Sequence, residues 1–217
     1  MKYKFLSNKL MVLNDPIINI KNIKKLKKKT PLLDDKILNI VNNKNFFLSI
    51  GRFTKQKNFL FYLECIPEIL KLNKDLFFIF IGHGEDKNSF LKLAQKLNIL
   101  DRIFLIDYTS NVHFFMKKSK AFVLTSLWED PGFVLVESGF NNCQVISSNC
   151  PNGPLEIIGN DGGYLFKSNS KTSLINIIKD FLNDTDENRF LKKVVLKKRV
   201  KNFTSFQHFL KIKKILI

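Results

Sequence analysis

The sequence predicts an α/β protein: a Rossmann-like parallel sheet with helices on both faces, followed by further C-terminal helices. Two observations carry this. Short apolar runs rich in Phe and Ile recur between residues 46 and 166, and runs that are apolar without alternation suit strands buried on both faces. Between them lie longer amphipathic segments, so strand alternates with helix, the order that a parallel sheet requires of its crossovers.

Taken in order, Leu10–Leu13 reads as a short strand ending at the turn signal Asn14-Asp15-Pro16. The Lys- and Asn-rich stretch 15–44 reads as a linker or lid-like entry. Strands are expected at Phe46–Ile50, Leu76–Ile81, Ile103–Ile106, Ala121–Leu124, Val145–Ser147 and Tyr164–Phe166. Helices are expected between them at 58–72, 86–98, 111–118, 133–142 and 153–158, with Asn58 able to cap the first. After Phe166 the pattern turns to helices alone, at 171–183, 186–200 and 203–215. Phe203, Phe206, Phe209, Leu210 and Ile212 give the last of these an apolar stripe that needs something to pack against. The chain thus divides into a lead-in at 1–44, a sheet domain at 45–170 and C-terminal helices at 171–217.

Composition agrees. With 217 residues, 45% hydrophobic and 25% charged, the chain is of ordinary globular type, which excludes disorder, collagen and disulfide scaffolds. At ~150 residues per domain it has room for one core with trimmings, and not for two complete α/β domains. The net charge of +17 is carried by Lys, with four Arg (Arg52, Arg102, Arg189, Arg199). Lys, Asn, Ile and Phe share AT-rich codons, so much of the charge reads as codon drift; a share remains for peripheral contact with anionic membrane, and no specific nucleic-acid partner is expected. Cys65, Cys143 and Cys150 are odd in number and lack metal-ligand spacing, which reads as reduced thiols in a cytoplasmic protein. No apolar run approaches the length of a membrane span, and Asn8, Lys9, Asn14 and Asp15 interrupt the start before a signal-type stretch develops.

In an open parallel sheet, ligands bind beyond the carboxyl ends of the strands, so the loops there are the places for chemistry. Gly51-Arg52-Phe53-Thr54-Lys55-Gln56-Lys57-Asn58 is a glycine turn carrying cations into a helix N-terminus. Arg offers a bidentate fork and Lys a point charge, which suits a diphosphate; a solvated loop in a Lys-rich chain is the alternative. Gly82-His83-Gly84-Glu85 lacks the third glycine of a dinucleotide fingerprint, so its glycines read as a tight turn beside a ligand and His83 as an exposed loop residue. Glu129 and Glu137 stand eight positions apart, the second expected in the second turn of a helix starting near Gly132 and leaning back toward the first, so that both face one cleft. A carboxylate accepts two hydrogen bonds from a cis-diol, so Glu137 suits a ribose and Glu129 sugar hydroxyls, while the amides of Gly132, Phe133 and Val134 are open to phosphate or sugar oxygens. Helix-dipole complementarity for Glu137 and a surface position for Glu129 is the alternative. Cys150-Pro151-Asn152-Gly153-Pro154-Leu155-Glu156 makes a proline-braced turn that walls the same cleft or serves structure alone.

In this order the segments resemble the donor-binding half of retaining GT-B glycosyltransferases, the glycosyl transferases of group 1, over about Asn45 to Phe166. The marks are Gly-Arg-x4-Lys at 51–57, Ile-Gly-x-Gly at 81–84, Ser-x2-Glu at 126–129, Glu-x7-Glu at 129 and 137, and Pro-x-Gly-Pro-x-Glu at 151–156. The resemblance implies a nucleotide-sugar donor, transfer to a glycan or lipid-linked acceptor in lipopolysaccharide or other cell-surface polysaccharide synthesis, and no metal or other cofactor. It implies that Arg52 and Lys57 hold the diphosphate and stabilise the leaving group, that Glu129 contacts the transferred sugar, that Glu137 holds the ribose, and that the chain around Tyr108 meets the base. Two positions depart from the pattern: Asp130-Pro131 replaces the usual Gly-Phe, and Ile106 replaces a Gly. Pro131 has no N–H to donate, which implies a changed loop shape or sugar preference. Val12-Leu13-Asn14-Asp15-Pro16-Ile17 is similar to the hinge segment entering such a half, and the final helix stands where members cross back to the other half. The expectation is therefore half of the GT-B architecture, truncated or one subunit of a split enzyme, with the acceptor half a separate N-terminal domain or polypeptide. A degenerate assembly or regulatory module of the same fold is the alternative.

Overall fold

Phe and Ile side chains alternate between two faces along each central strand, and the two faces fill two separate cores. The computed structural model describes residues 13–26 and 29–216. Its six strands are β1 (Phe46–Ile50), β2 (Phe77–Ile81), β3 (Ile103–Ile106), β4 (Ala121–Leu124), β5 (Val145–Ser148) and β6 (Tyr164–Phe166). All pair in parallel in the order β3-β2-β1-β4-β5-β6, which reverses direction between β1 and β4. The helices are α1 (Ile20–Leu26), α2 (Asp35–Asn43), α3 (Phe59–Leu72), α4 (Lys87–Lys96), α5 (Val112–Lys118), α6 (Phe133–Phe140), α7 (Pro154–Ile158), α8 (Lys171–Asn183), α9 (Asp186–Val200) and α10 (Ser205–Leu216).

Phe47, Phe78 and Phe80 face one core with α3, α4 and α8, through Tyr62, Leu63, Phe90, Ile178 and Phe181. Phe46, Leu48, Ile79 and Ile81 face the other with α2, α5, α6 and α9. Each fully buried side chain of this size contributes about 1.5–3 kcal/mol from burial. The helices end where their chemistry directs: Ser170 and Thr185 cap α8 and α9 by accepting the amides of Ser173 and Asn188.

Two expectations need correction. The stretch 15–44, expected as a linker or lid-like entry, contributes α1 and α2 and buries Ile18, Ile23, Ile37, Ile40 and Val41 in the second core. Asp34 caps α2 by accepting the Ile37 amide at 2.8 Å, and Ile37, Ile40 and Val41 form the inward stripe. Asn58 does not cap α3: it adopts a left-handed φ of 56° and its side chain donates to Asn169 Oδ1 at 3.1 Å. The strand expected at Leu10–Leu13 lies outside the described residues except for Leu13, which belongs to no strand.

The segment around Asn14 runs beside the start of α10. Ile18 forms a parallel bridge with Thr204, His208 Nδ1 lies 2.8 Å from the Asn14 carbonyl oxygen, and Lys211 Nζ donates to Asn14 Oδ1 at 2.9 Å. Phe206 and Phe209 of α10 are exposed, while Phe203, Leu210 and Ile212 are half-buried. Among the described residues no helix is long and apolar enough to cross a membrane.

Candidate functional site

The strand order reverses between β1 and β4, and the carboxyl ends of the strands at such a reversal are where open α/β sheets form their ligand crevice. The loop after β1 is anchored by Phe53, which is fully buried against Phe59, Phe80 and Phe90 with ring centroids 5.1, 6.5 and 5.1 Å away. Burying that one ring leaves its neighbours Arg52 and Lys55 exposed. The loops after β1 and β2 lie backbone against backbone: Phe53 donates to the His83 carbonyl at 2.9 Å, and Asp86 donates to the Phe53 carbonyl at 2.9 Å. A Cβ on Gly82 would stand 2.0 Å from the Gly51 carbonyl oxygen. The glycines of Ile-Gly-x-Gly therefore serve this loop-to-loop approach, and His83 is an exposed loop residue.

Across the crevice, Lys57 Nζ lies 2.6 Å from Glu129 Oε1, with the two side chains 15% and 4% exposed. The same carboxylate oxygen accepts the Ser126 hydroxyl at 2.5 Å. Ser126 and Glu129 are three positions apart in the turn after β4, and that spacing is what brings a hydroxyl under the carboxylate. Two further bonds tie the β4 loop to the β1 loop. The Thr125 hydroxyl donates to the Lys57 carbonyl at 2.9 Å, and the Leu127 amide donates to the Gln56 carbonyl at 2.8 Å. Arg52 makes no ion pair among the described residues. Taking a carboxylate and an ammonium out of water costs several kcal/mol per ion, offset by the short contact and the added hydroxyl.

The turn that follows is braced by the loop after β5. Glu129 donates its amide to the Pro151 carbonyl at 3.1 Å, and Gly153, at φ 117°, passes so close that a Cβ there would stand 1.8 Å from the Pro131 carbonyl oxygen. The Asp130-Pro131 peptide is cis. Gly132 precedes α6 with a left-handed φ of 86°, and its missing side chain leaves room for Glu129, whose Cγ would lie 3.3 Å from a Cβ there. Phe133 and Val134 open α6, and first-turn amides have no intrahelical acceptor, so their N–H groups are available to an anion or a sugar oxygen.

Glu137 has different surroundings from Glu129. It lines a cavity of about 280 Å³ with Asn19, Asn22, Thr109, Ser110 and His113, and burial pushes its carboxyl above the usual glutamate range. Beyond it, Tyr108 is 78% exposed and borders a second cavity of about 360 Å³ walled by Thr30, Pro31 and Leu32 from the stretch before α2. Asn111 holds that stretch in place, its side-chain amide donating to the Leu26 and Lys29 carbonyls at 2.9 and 2.6 Å. Sequence reasoning pointed to neither Ser126 nor Asn111 as a site residue; the Ser-x2-Glu spacing signalled the first, and nothing local signalled the second. Among the described residues no three His, Cys, Asp or Glu side chains converge as metal ligands would.

The family model described as Glycosyl transferases group 1 matches residues 32–198. A glycosyltransferase of Methanocaldococcus jannaschii is 32% identical over 72% of this chain and 38% of its own length. The Escherichia coli UDP-Gal:alpha-D-GlcNAc-diphosphoundecaprenol alpha-1,3-galactosyltransferase is 30% identical over 85% of this chain and 48% of its own length. The chain thus spans less than half the length of these curated relatives. Among solved structures, HepE of Anabaena in complex with UDP and glucose superposes with a TM-score of 0.73 at 16% identity, covering 92% of this chain and 52% of that one.

Proposed function

Because the chain belongs to the glycosyl transferases of group 1, we propose that its crevice binds the nucleoside diphosphate sugar of a retaining hexosyltransferase and presents it to a glycan or lipid-linked acceptor in cell-surface polysaccharide or lipopolysaccharide synthesis. The observation that carries the reading is the Lys57–Glu129 contact at the topological switch point, 2.6 Å long and nearly closed to solvent. The diphosphate enters beside it. Arg52, exposed at the rim, supplies a fork for its oxygens, and Lys57 turns part of its charge from Glu129 to the leaving phosphate as the glycosidic bond breaks. The first-turn amides Phe133 and Val134 face the same charge.

Glu129, held by Ser126 and backed by Gly132, accepts hydroxyls of the transferred sugar. Glu137 accepts the ribose diol within its cavity, and the base lies toward Tyr108 and the Thr30–Leu32 wall. No metal takes part in this reading. The acceptor is held by a second Rossmann-like half, in the same or another polypeptide, and the chain works on the cytoplasmic side, where nucleotide sugars are made. The relative from E. coli is named for a diphosphoundecaprenol-linked acceptor and HepE was solved with UDP and glucose, which supports a lipid-linked acceptor and a nucleotide donor here.

The test is calorimetric titration of the chain with UDP, GDP and ADP at low and high salt, beside Arg52→Ala and Glu137→Ala. Selective binding of one diphosphate, weakened at least about tenfold in each variant, is expected. A folded chain that binds none of the three, or binds all three equally with steep salt dependence, would overturn it and favour the assembly module or a basic surface that binds polyanions without selectivity.

A further inference from the structure

The outer face of α9 is the strongest feature that the donor site does not use. Leu196 and Val200 are buried against α6, so close that a Cβ on Gly139 would stand 2.6 Å from Leu196 Cγ. On the opposite side Phe190, Leu191 and Val194 are 61%, 51% and 48% exposed. Such a row on a helix already packed through its other side has no structural task of its own. Lysines interleave with it: Lys193, Lys197, Lys198 and Lys201, together with Phe190 and Val194, line an open groove of about 620 Å³ that ends at Asn142. The spacing of Phe190, Val194, Lys197, Lys198 and Lys201 follows one helical face. The acids of α9 are confined to its first turn, and of these Asp186 is paired with Arg189 at 2.6 Å.

We propose that this face docks on an anionic phospholipid bilayer, with Phe190, Leu191 and Val194 entering the headgroup layer and Lys193, Lys198 and Lys201 meeting lipid phosphates. Charge complementarity selects an anionic partner, and the exposed rings and branched chains select one with an apolar interior. A nucleic acid duplex satisfies the lysines and leaves Phe190 and Leu191 in water. Lys197 already donates to the Phe140 carbonyl and sits 4.0 Å over the Phe140 ring, so it anchors the groove floor. The groove lies at the C-terminal end of α6, and Glu129 and Gly132 lie at its N-terminal end. Attachment therefore leaves the crevice open.

The experiment is co-sedimentation of the full chain with phosphatidylcholine vesicles, with and without phosphatidylserine. Binding that requires phosphatidylserine is expected, falling about thirtyfold in Lys198→Ala/Lys201→Ala and falling also in Phe190→Ser, whose added polarity leaves the lysines untouched. Nucleoside diphosphate titration of the same variants should be unchanged, which separates failure here from failure of the donor reading. Equal binding to both vesicle types, no binding to either, or binding that Phe190→Ser leaves intact and duplex DNA displaces would overturn the proposal, the last in favour of a basic surface that binds any polyanion.

Discussion

Lys57 and Glu129 are 72 positions apart in sequence and 2.6 Å apart in space, and the reversal of strand order between β1 and β4 is what joins them. Removing the ammonium strands a buried carboxylate whose remaining partner is one hydroxyl. Lys57→Ala should therefore cost about 3 kcal/mol in urea unfolding, and Lys57→Ala/Glu129→Ala should recover part of that loss. Strict additivity of the two single variants would contradict a coupled pair.

Gly153 makes a second, purely steric prediction. With φ 117° and its Cα side packed against the Pro131 carbonyl, it has no room for a methyl group. Gly153→Ala should destabilise by about 2–4 kcal/mol and loosen the Asp130–Gly132 turn, read as faster amide exchange there. Wild-type stability would show that the two loops are not braced in this way.

Glu137 sets a pH dependence whose sign follows from its burial. Its folded carboxyl is raised, so the native state binds its proton more tightly than the unfolded chain does. Stability from this group falls as pH rises from the ordinary carboxylate range through the raised value, and Glu137→Gln should flatten that part of the curve. Nucleotide affinity should move the other way, strengthening over the same interval as the ionised form becomes available to a diol. Urea midpoints and titrations at a series of pH values check both.

The three thiols are buried and free. Burial pushes Cys65 up to about 12 and Cys143 up to about 11, and it raises Cys150 as well. None should react with a thiol reagent at neutral pH in the folded protein, and all should react in denaturant. Rapid labelling of any one without unfolding would count against its burial.

The sheet was legible because its strands are short apolar runs bounded by glycine or polar turns; Phe46–Ile50, Ile103–Ile106, Ala121–Leu124 and Tyr164–Phe166 fall where periodicity puts them. The helix α2 was missed although Asp34 and the Ile37, Ile40, Val41 stripe announce it, because the surrounding Lys and Asn dilute the pattern. Ladders of residue types locate loops at strand ends, so the residues of the crevice were legible as well. Their pairing was not. Lys57 with Glu129, and Asn111 with Leu26 and Lys29, depend on which strands become neighbours and on where a distant stretch lies, and neither is written in local spacing. Glu129 and Glu137 illustrate the limit: their spacing marked the loop and the second turn of the helix that follows it, and only packing shows that one carboxylate meets a lysine and the other lines a cavity.

The bridge between Ile18 and Thr204 also has a mechanical meaning. Ile18 donates to the Phe203 carbonyl at 3.0 Å and accepts from the Ser205 amide at 3.3 Å, so the segments before α1 and at the start of α10 are clasped side by side. Tension applied through these two segments loads that clasp before it reaches the sheet. A twist imposed on either segment therefore passes to the other through the same two hydrogen bonds.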